Sequence, residues 1–386
     1  MSHLPVERRA VPRPPRPPSQ ATGLAAHFAQ SYAEARDKFF VAARSRGLGV
    51  DTHVHPLLGA EGEMLAMDVA RDGPKEARAV LVISSACHGL EGFCGSGVQV
   101  ALLGDEEWHD AAHAAGVAVL YIHGLNPWGF SWWRRTTHEN VDLNRNFRDF
   151  AAEAPANEAY DELADAIVPT TWPADAAARE RLDAFVAAHG EKALQKAISG
   201  GQYRHSEGLF FGGAAPTWSH ETLRQVLRQH GTRCRRLAWI DLHTGLGPSG
   251  HGERIFAGRD DPEAIARARA WWGDVTSIYD GSSSSALLTG MMFNAAYDEC
   301  GQAEYTGIAL EYGTLPQAQV MLALRADQWL QNHPDADEAT RMAIKRQVRD
   351  AFYTDTYAWK EQIVTQAVEA AHDAVRGLSA AQAERP

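Results

Sequence analysis

Residues 84–93, SSACHGLEGF, set a histidine and a glutamate three apart, His88 and Glu91, with glycines around the pair. Imidazole nitrogen and carboxylate oxygen are both ligands for zinc-type ions. Such ions take a few donors at about 2.0–2.2 Å and, at a reactive centre, leave one position open to water. A third donor stands in DLHTG, where His243 closes an apolar run, so the chain offers a His-Glu-His set. Gly89 and Gly92 are read as supplying the backbone dihedrals of a sharp turn. The spacing alone is weak, because a chain with 17 histidines meets H-x-x-E about once by chance. Its weight comes from where the residues stand.

A second polar concentration lies in NPWGFSWWRRTTHENVDLNRNF, 126–147, which has no regular periodicity and holds Arg134, Arg135, Asn144 and Arg145 between apolar elements. Long irregular loops in compact domains are usually functional. The guanidinium fork suits a carboxylate or a developing oxyanion, and a neighbouring asparagine adds a neutral donor and acceptor. A further carboxylate, Glu311, closes the run YTGIALEYGT.

The elements that must position these residues are four short apolar, β-branched runs at 77–86, 116–124, 235–245 and 305–314. Continuous runs of this kind fit strands buried on both faces, and the helical patterns between them imply an α/β fold: a mixed, largely parallel open sheet sandwiched between helices. In such sheets ligands bind beyond the carboxyl ends of the strands, so His88, Glu91, His243 and Glu311 are expected on one rim. DTHVHP and EMLAMDVARDG read as a hairpin around GAEG, and 24–46 reads as helical. The proline-rich leader, 1–22, is expected to be extended or disordered. Residues 23–386 are expected to form a single catalytic domain, with a helical insertion at about 151–201 and a helical region at about 316–376.

A formal charge of −12 without a basic run excludes the footprint of a nucleic-acid binder. The start lacks an apolar signal region and no apolar run reaches the ~18 residues of a membrane span, so a cytoplasmic protein with no membrane partner is expected. The four cysteines are expected to be reduced, buried thiols. His53 and His55 form an H-x-H of the kind that opens the metal site of amidohydrolase barrels, but such barrels need about eight βα units and this segment runs straight into a hairpin. The loop 280–290, DGSSSSALLTG, reads as solvated, with a mobile flap over the site as the alternative, and Trp132-Trp133 and Trp271-Trp272 read as core, with pocket walls as the alternative.

Taken in order, HGLE, NPWG, NVDLNRNF, DLHTG and LEYG resemble the zinc carboxypeptidase family, in a non-secreted branch. DLHTGLGPSG leans toward the related deacylases similar to aspartoacylase and succinylglutamate desuccinylase. The resemblance implies one zinc ion held by His88, Glu91 and His243, with Asp142 orienting His88. It implies that Asn144 and Arg145 hold the substrate's carboxylate, that Arg135 stabilises the oxyanion with Arg134 as its rival, and that Glu311 is the general base. The implied reaction is hydrolysis of an amide beside a free carboxylate, in a peptide or, alternatively, an N-acyl amino acid. A non-catalytic binding protein on a peptidase fold is a further alternative. The family's mobile tyrosine has no motif here; Tyr279, Tyr297, Tyr305 and Tyr312 are all open.

Overall fold

The computed structural model describes residues 23–383, so the leader expected over 1–22 lies outside the described residues. Eight strands form one sheet: β1 (Val50–Leu58), β2 (Met64–Asp72), β3 (Ala79–Ser85), β4 (Val117–His123), β5 (Arg236–Ser249), β6 (Gly252–Phe256), β7 (Val275–Thr276) and β8 (Glu304–Gly313). Their order is β1-β2-β4-β3-β5-β8-β6-β7. The central strands β4, β3, β5 and β8 are parallel. The β1–β2 hairpin joins β4 antiparallel at one side; at the other β6 runs antiparallel to β8, with β7 parallel to β6 outside it.

The expected mixed, largely parallel open sheet is present, and among the described residues no barrel closes around His53 and His55. The four apolar runs are β3, β4, β5 and β8. β6 and β7 escape a sequence reading because β6 carries Glu253 and Arg254 in five residues and β7 has only two, too short for alternation to show.

Successive side chains on a strand point to opposite faces. Leu81 and Ile83 of β3 therefore join Val119 and Tyr121 of β4 in one core, while Val80 and Val82 join Leu120 and Ile122 in the other. Helices Tyr32–Ser45, Gly92–Leu103 and Tyr357–Ala383 cover the first face, and Trp218–Gly231 covers the second. Helix Gly92–Leu103 is buried along its whole length, which its glycines permit. A Cβ at Gly95 would sit 2.6 Å from the Ser85 Cβ, and one at Gly97 2.3 Å from the Phe28 ring.

Between 151 and 201 the chain forms helices Glu158–Ile167, Ala176–His189 and Glu191–Ser199; beyond β8 it forms Gln317–Asn332, Glu338–Phe352 and Tyr357–Ala383. Among the described residues no helix is long and apolar enough to cross a membrane. All four cysteines are buried and free.

At the far end of β2 from the rim, the buried carboxylate of Asp72 receives His109 Nδ1 and, at 2.7 Å, His113 Nε2 from one face of helix Glu106–Ala114. Burial alone would raise this carboxyl, but the two histidine hydrogen bonds outweigh it and hold the group below the usual range. Asp72→Asn should therefore lower the unfolding free energy at pH 7 by about 1–3 kcal/mol in urea titrations. Because the folded pKa is depressed, this contribution is full above about pH 4 and is lost as pH falls through the lower folded value. The stabilities of wild type and variant should then converge in acid; a gap that stays constant down to pH 2 contradicts the assignment.

Candidate metal centre and substrate cleft

β3 ends at Ser85, and Ala86, with φ 60°, turns the chain out of the sheet toward Cys87 and His88. A short 3-10 turn, Gly89–Glu91, then enters helix Gly92–Leu103. The glycines here act through space rather than dihedrals, which corrects the expectation drawn from sequence. Gly92 has an ordinary helical φ of −59°. A Cβ on Gly89 would lie 2.1 Å from the Gly129 carbonyl carbon, and one on Gly92 2.5 Å from the Phe130 ring. The turn lies flush against the arginine loop, with Gly89 N donating to Arg135 O and Leu90 N to Arg134 O, both at 3.1 Å.

From this turn His88 and Glu91 meet His243 on β5, each ring offering Nδ1 to one Glu91 oxygen at 2.9 Å. One potential ligand atom from each of His88, Glu91 and His243 lies within 4.8 Å of the others, and all three residues are buried. On its other side each ring meets a carboxylate. His88 Nε2 is 3.2 Å from Asp142 Oδ1 and also receives Arg135 Nη2 at 2.8 Å. His243 Nε2 is 2.5 Å from Asp241 Oδ2, an ion pair within the buried site. Histidines backed by carboxylates while the opposite nitrogen faces a shared point are the arrangement metal-binding histidines use, and two nitrogens with a carboxylate suit zinc. The donor set fits such an ion.

Asp241 was missed in the sequence, although a signal existed: two positions before His243 on one strand, it shares that residue's face. Its own support is Ser84 Oγ at 2.5 Å, which in turn receives Trp239 Nε1 at 2.7 Å.

The charges are steeply biased. Burial opposes ionisation of Glu91 and Asp142, but the positive field of His88 and His243 at the first and of Arg135 and Arg145 at the second holds both carboxyls well below their usual range. Burial also opposes protonation of His243, yet Asp241 and Glu91 raise it well above the usual imidazole value. Glu311 goes the other way: burial, then the charge of Glu91, lifts it to about 8.

Glu311 stands beside His243 in the β5–β8 register, and its Oε1 accepts Leu246 N at 2.9 Å. Arg135 is held by Asp142 through Nε at 2.9 Å and by Glu91 through Nη1 at 3.3 Å, with Phe210 under its guanidinium. Arg145 donates to Ser199 O through Nε and Nη2 and to Asn144 O through Nη1. Asn144 Oδ1 accepts Met292 N at 2.9 Å. His88, Glu91, Arg135, Asn144, Arg145, His243 and Glu311 all line one cleft with about 910 Å³ of empty space, its open mouth included.

Arg134 is not brought there. It points to Asp327, Gln328 and Asn140 and serves the packing beneath helix Gln317–Asn332. None of the four candidate tyrosines lines the cleft. Tyr279, Tyr305 and Tyr312 donate to Gly258 O, Ala257 O and Ile363 O, and Tyr297 accepts Arg259 N. His55 packs against Trp218 and His138 on edge strand β1, where burial lowers its imidazole to about 4. Two segments given no site residue from sequence reach the cleft: Gln195 and Ser199 from the helical insertion at 151–201, and Ser285, Ala286 and Leu288 from the loop 280–290.

A family model described as a protein of unknown function, DUF2817, matches residues 28–366. The chain belongs to this family. No curated protein matches the sequence. Solved structures similar to this DUF2817 chain include thrombin activatable fibrinolysis inhibitor, at 15% identity over 83% of this chain and 80% of that one, with a TM-score of 0.45. Carboxypeptidase A from Helicoverpa armigera is 12% identical over 92% and 77%, with a TM-score of 0.44. A Shewanella frigidimarina protein described as a candidate succinylglutamate desuccinylase/aspartoacylase is 15% identical over 74% and 71%, with a TM-score of 0.33.

Proposed function

We propose that the protein is a zinc-dependent hydrolase that cleaves an amide bond beside a free carboxylate. What supports the reading is the convergence, on one cleft, of a His-Glu-His donor set, a separate carboxylate at Glu311, the buried Arg145 and the partly buried Arg135. Zinc bound by His88, Glu91 and His243 would supply Lewis acidity and bring the pKa of a bound water toward ~7. Asp142 and Asp241 fix the ring orientations of the two histidines. Asn144 and Arg145 receive the substrate's carboxylate, placing the adjacent amide toward Glu311 and Arg135. Glu311, ionised once the positive charge of a bound cation offsets the burial and the Glu91 charge that raise it, would take a proton from the attacking water and pass it to the leaving amine; Arg135 meets the charge that develops on the carbonyl oxygen. No covalent intermediate is needed, and no serine, threonine or cysteine is given a role.

The test is a mass-spectrometric screen of the zinc-loaded protein against dipeptides and N-acyl amino acids, each as the free acid and as the C-terminal amide. Free acids should be cleaved with kcat/KM about 10–100-fold above their amides, the worth of a charged hydrogen-bonded contact. Equal cleavage of acids and amides would remove the carboxylate role of Arg145. A zinc-loaded protein that cleaves neither would leave a binding protein on a hydrolase-like fold.

A further inference from the structure

Helix Glu191–Ser199 and the loop 277–290 are tied into one wall of the cleft. Gln195 Nε2 crosses from the helix to Ser284 O at 2.8 Å. Farther along, Thr289 N donates to Gly200 O at 3.3 Å, and Tyr203 OH bridges Arg145 O at 2.8 Å and Thr289 Oγ1 at 3.2 Å. The loop is also anchored to the sheet, through Ser284 N to Glu253 Oε1 at 3.0 Å, and to the arginine loop, through Phe147 N to Gly290 O at 2.9 Å. This wall adjoins the proposed carboxylate position directly: Ser199 O holds Arg145, and Met292 N holds Asn144.

What the wall presents is uncharged: Gln195, Ser199 and Ser285 are neutral polar groups, and Ile278, Ala286 and Leu288 are apolar. Leu288, Met291 and Ile278 face the cleft with Ile255 of β6, and Val320 and Met321 stand on helix Gln317–Asn332. Among the residues lining the cleft, the ionisable side chains are His88, Glu91, Arg135, Arg145, His243 and Glu311, and each already has a part in the proposed reaction. None is left to pair with a charged substrate side chain, and burying such a charge unpaired is costly.

We infer that the helix and loop form the specificity wall of the site and that it selects a singly charged substrate, whose carboxylate-bearing residue carries an apolar side chain. The inference rests on the hydrolase reading. Leu288 is a specificity-determining residue, and Gln195 is a positioning residue that holds the wall in place.

The experiment compares N-acetyl-leucine, N-acetyl-phenylalanine, N-acetyl-aspartate and N-acetyl-lysine as substrates. In parallel it measures calorimetric binding of 3-phenylpropanoate and succinate, which needs no turnover. The apolar substrates should exceed the charged ones by at least about tenfold in kcat/KM, the scale of discrimination an apolar pocket provides. Phenylpropanoate should bind at least about tenfold tighter than succinate. Leu288→Arg, checked for an unchanged far-ultraviolet dichroism spectrum, should move both ratios toward the acidic compound. Gln195→Ala should raise KM several-fold with kcat within about twofold, the mark of lost uniform binding. Cleavage of charged and apolar substrates at equal rates overturns the inference and leaves the hydrolase reading intact. Absent cleavage of every compound here and of every dipeptide in the screen above, with phenylpropanoate still preferred, overturns the hydrolase reading and upholds the wall. Equal binding of the two acids overturns the wall by itself.

Discussion

Glu311→Gln should lower kcat by about a thousandfold, within the range general acid–base groups contribute, while zinc content stays at the wild-type level. The substitution keeps the size of the side chain and an oxygen able to accept Leu246 N, so the end of β8 should hold its place beside β5. It removes only the ability to take a proton. Glu311 is absent from the set of converging donor atoms, His88, Glu91 and His243, which is why metal retention and turnover should separate. Elemental analysis of the dialysed variant alongside steady-state rates decides the matter. Loss of the metal would make Glu311 a ligand, and a kcat within tenfold of wild type would remove it from the chemistry.

The complementary result is expected at the histidines. His88→Ala or His243→Ala should weaken zinc binding by more than about 100-fold, because loss of an outer partner alone costs 10–100-fold. His55→Ala should leave zinc content unchanged. The contrast separates two readings of the same sequence. His55 sits against Trp218 and His138 on an edge strand, whereas His88 and His243 converge on one carboxylate from adjacent central strands. A zinc stoichiometry near one that survives either cleft substitution but falls with His55→Ala would overturn the assignment.

The parts of this protein legible in its sequence are those fixed by local pattern. β3, β4, β5 and β8 are buried on both faces, so their apolar runs are continuous, and the rim at their ends follows from chain direction. β6 and β7 are held by neighbours rather than by their own composition. The choice between Arg134 and Arg135 could not be read from two adjacent residues in an irregular loop. Their different places come from Asp142, which takes Arg135, and from Gln328, 194 residues away, which takes Arg134. The wall built by Gln195 and Ser284 joins residues 89 apart through a side chain and a backbone carbonyl, a contact that leaves no periodicity. Gly89 and Gly92 were recognised as necessary, but their reason lies in the atoms of Gly129 and Phe130, which the sequence does not place.

The two backbone hydrogen bonds from Gly89 and Leu90 to Arg135 and Arg134 tie together parts of the site that have separate chemical duties. The turn that carries His88 and Glu91, two of the proposed metal ligands, and the loop that carries Arg135, the arginine proposed to meet the developing charge, are two rails of one ladder, with no room between them for a side chain. The seating of the turn against the loop is thus set by main-chain atoms, and a side chain added at Gly89, whose Cβ would lie 2.1 Å from the Gly129 carbonyl carbon, would part them. Any drift of one partner carries the other with it. A cleft assembled this way can change its walls, and so its choice of substrate, without retuning the distance on which its chemistry depends.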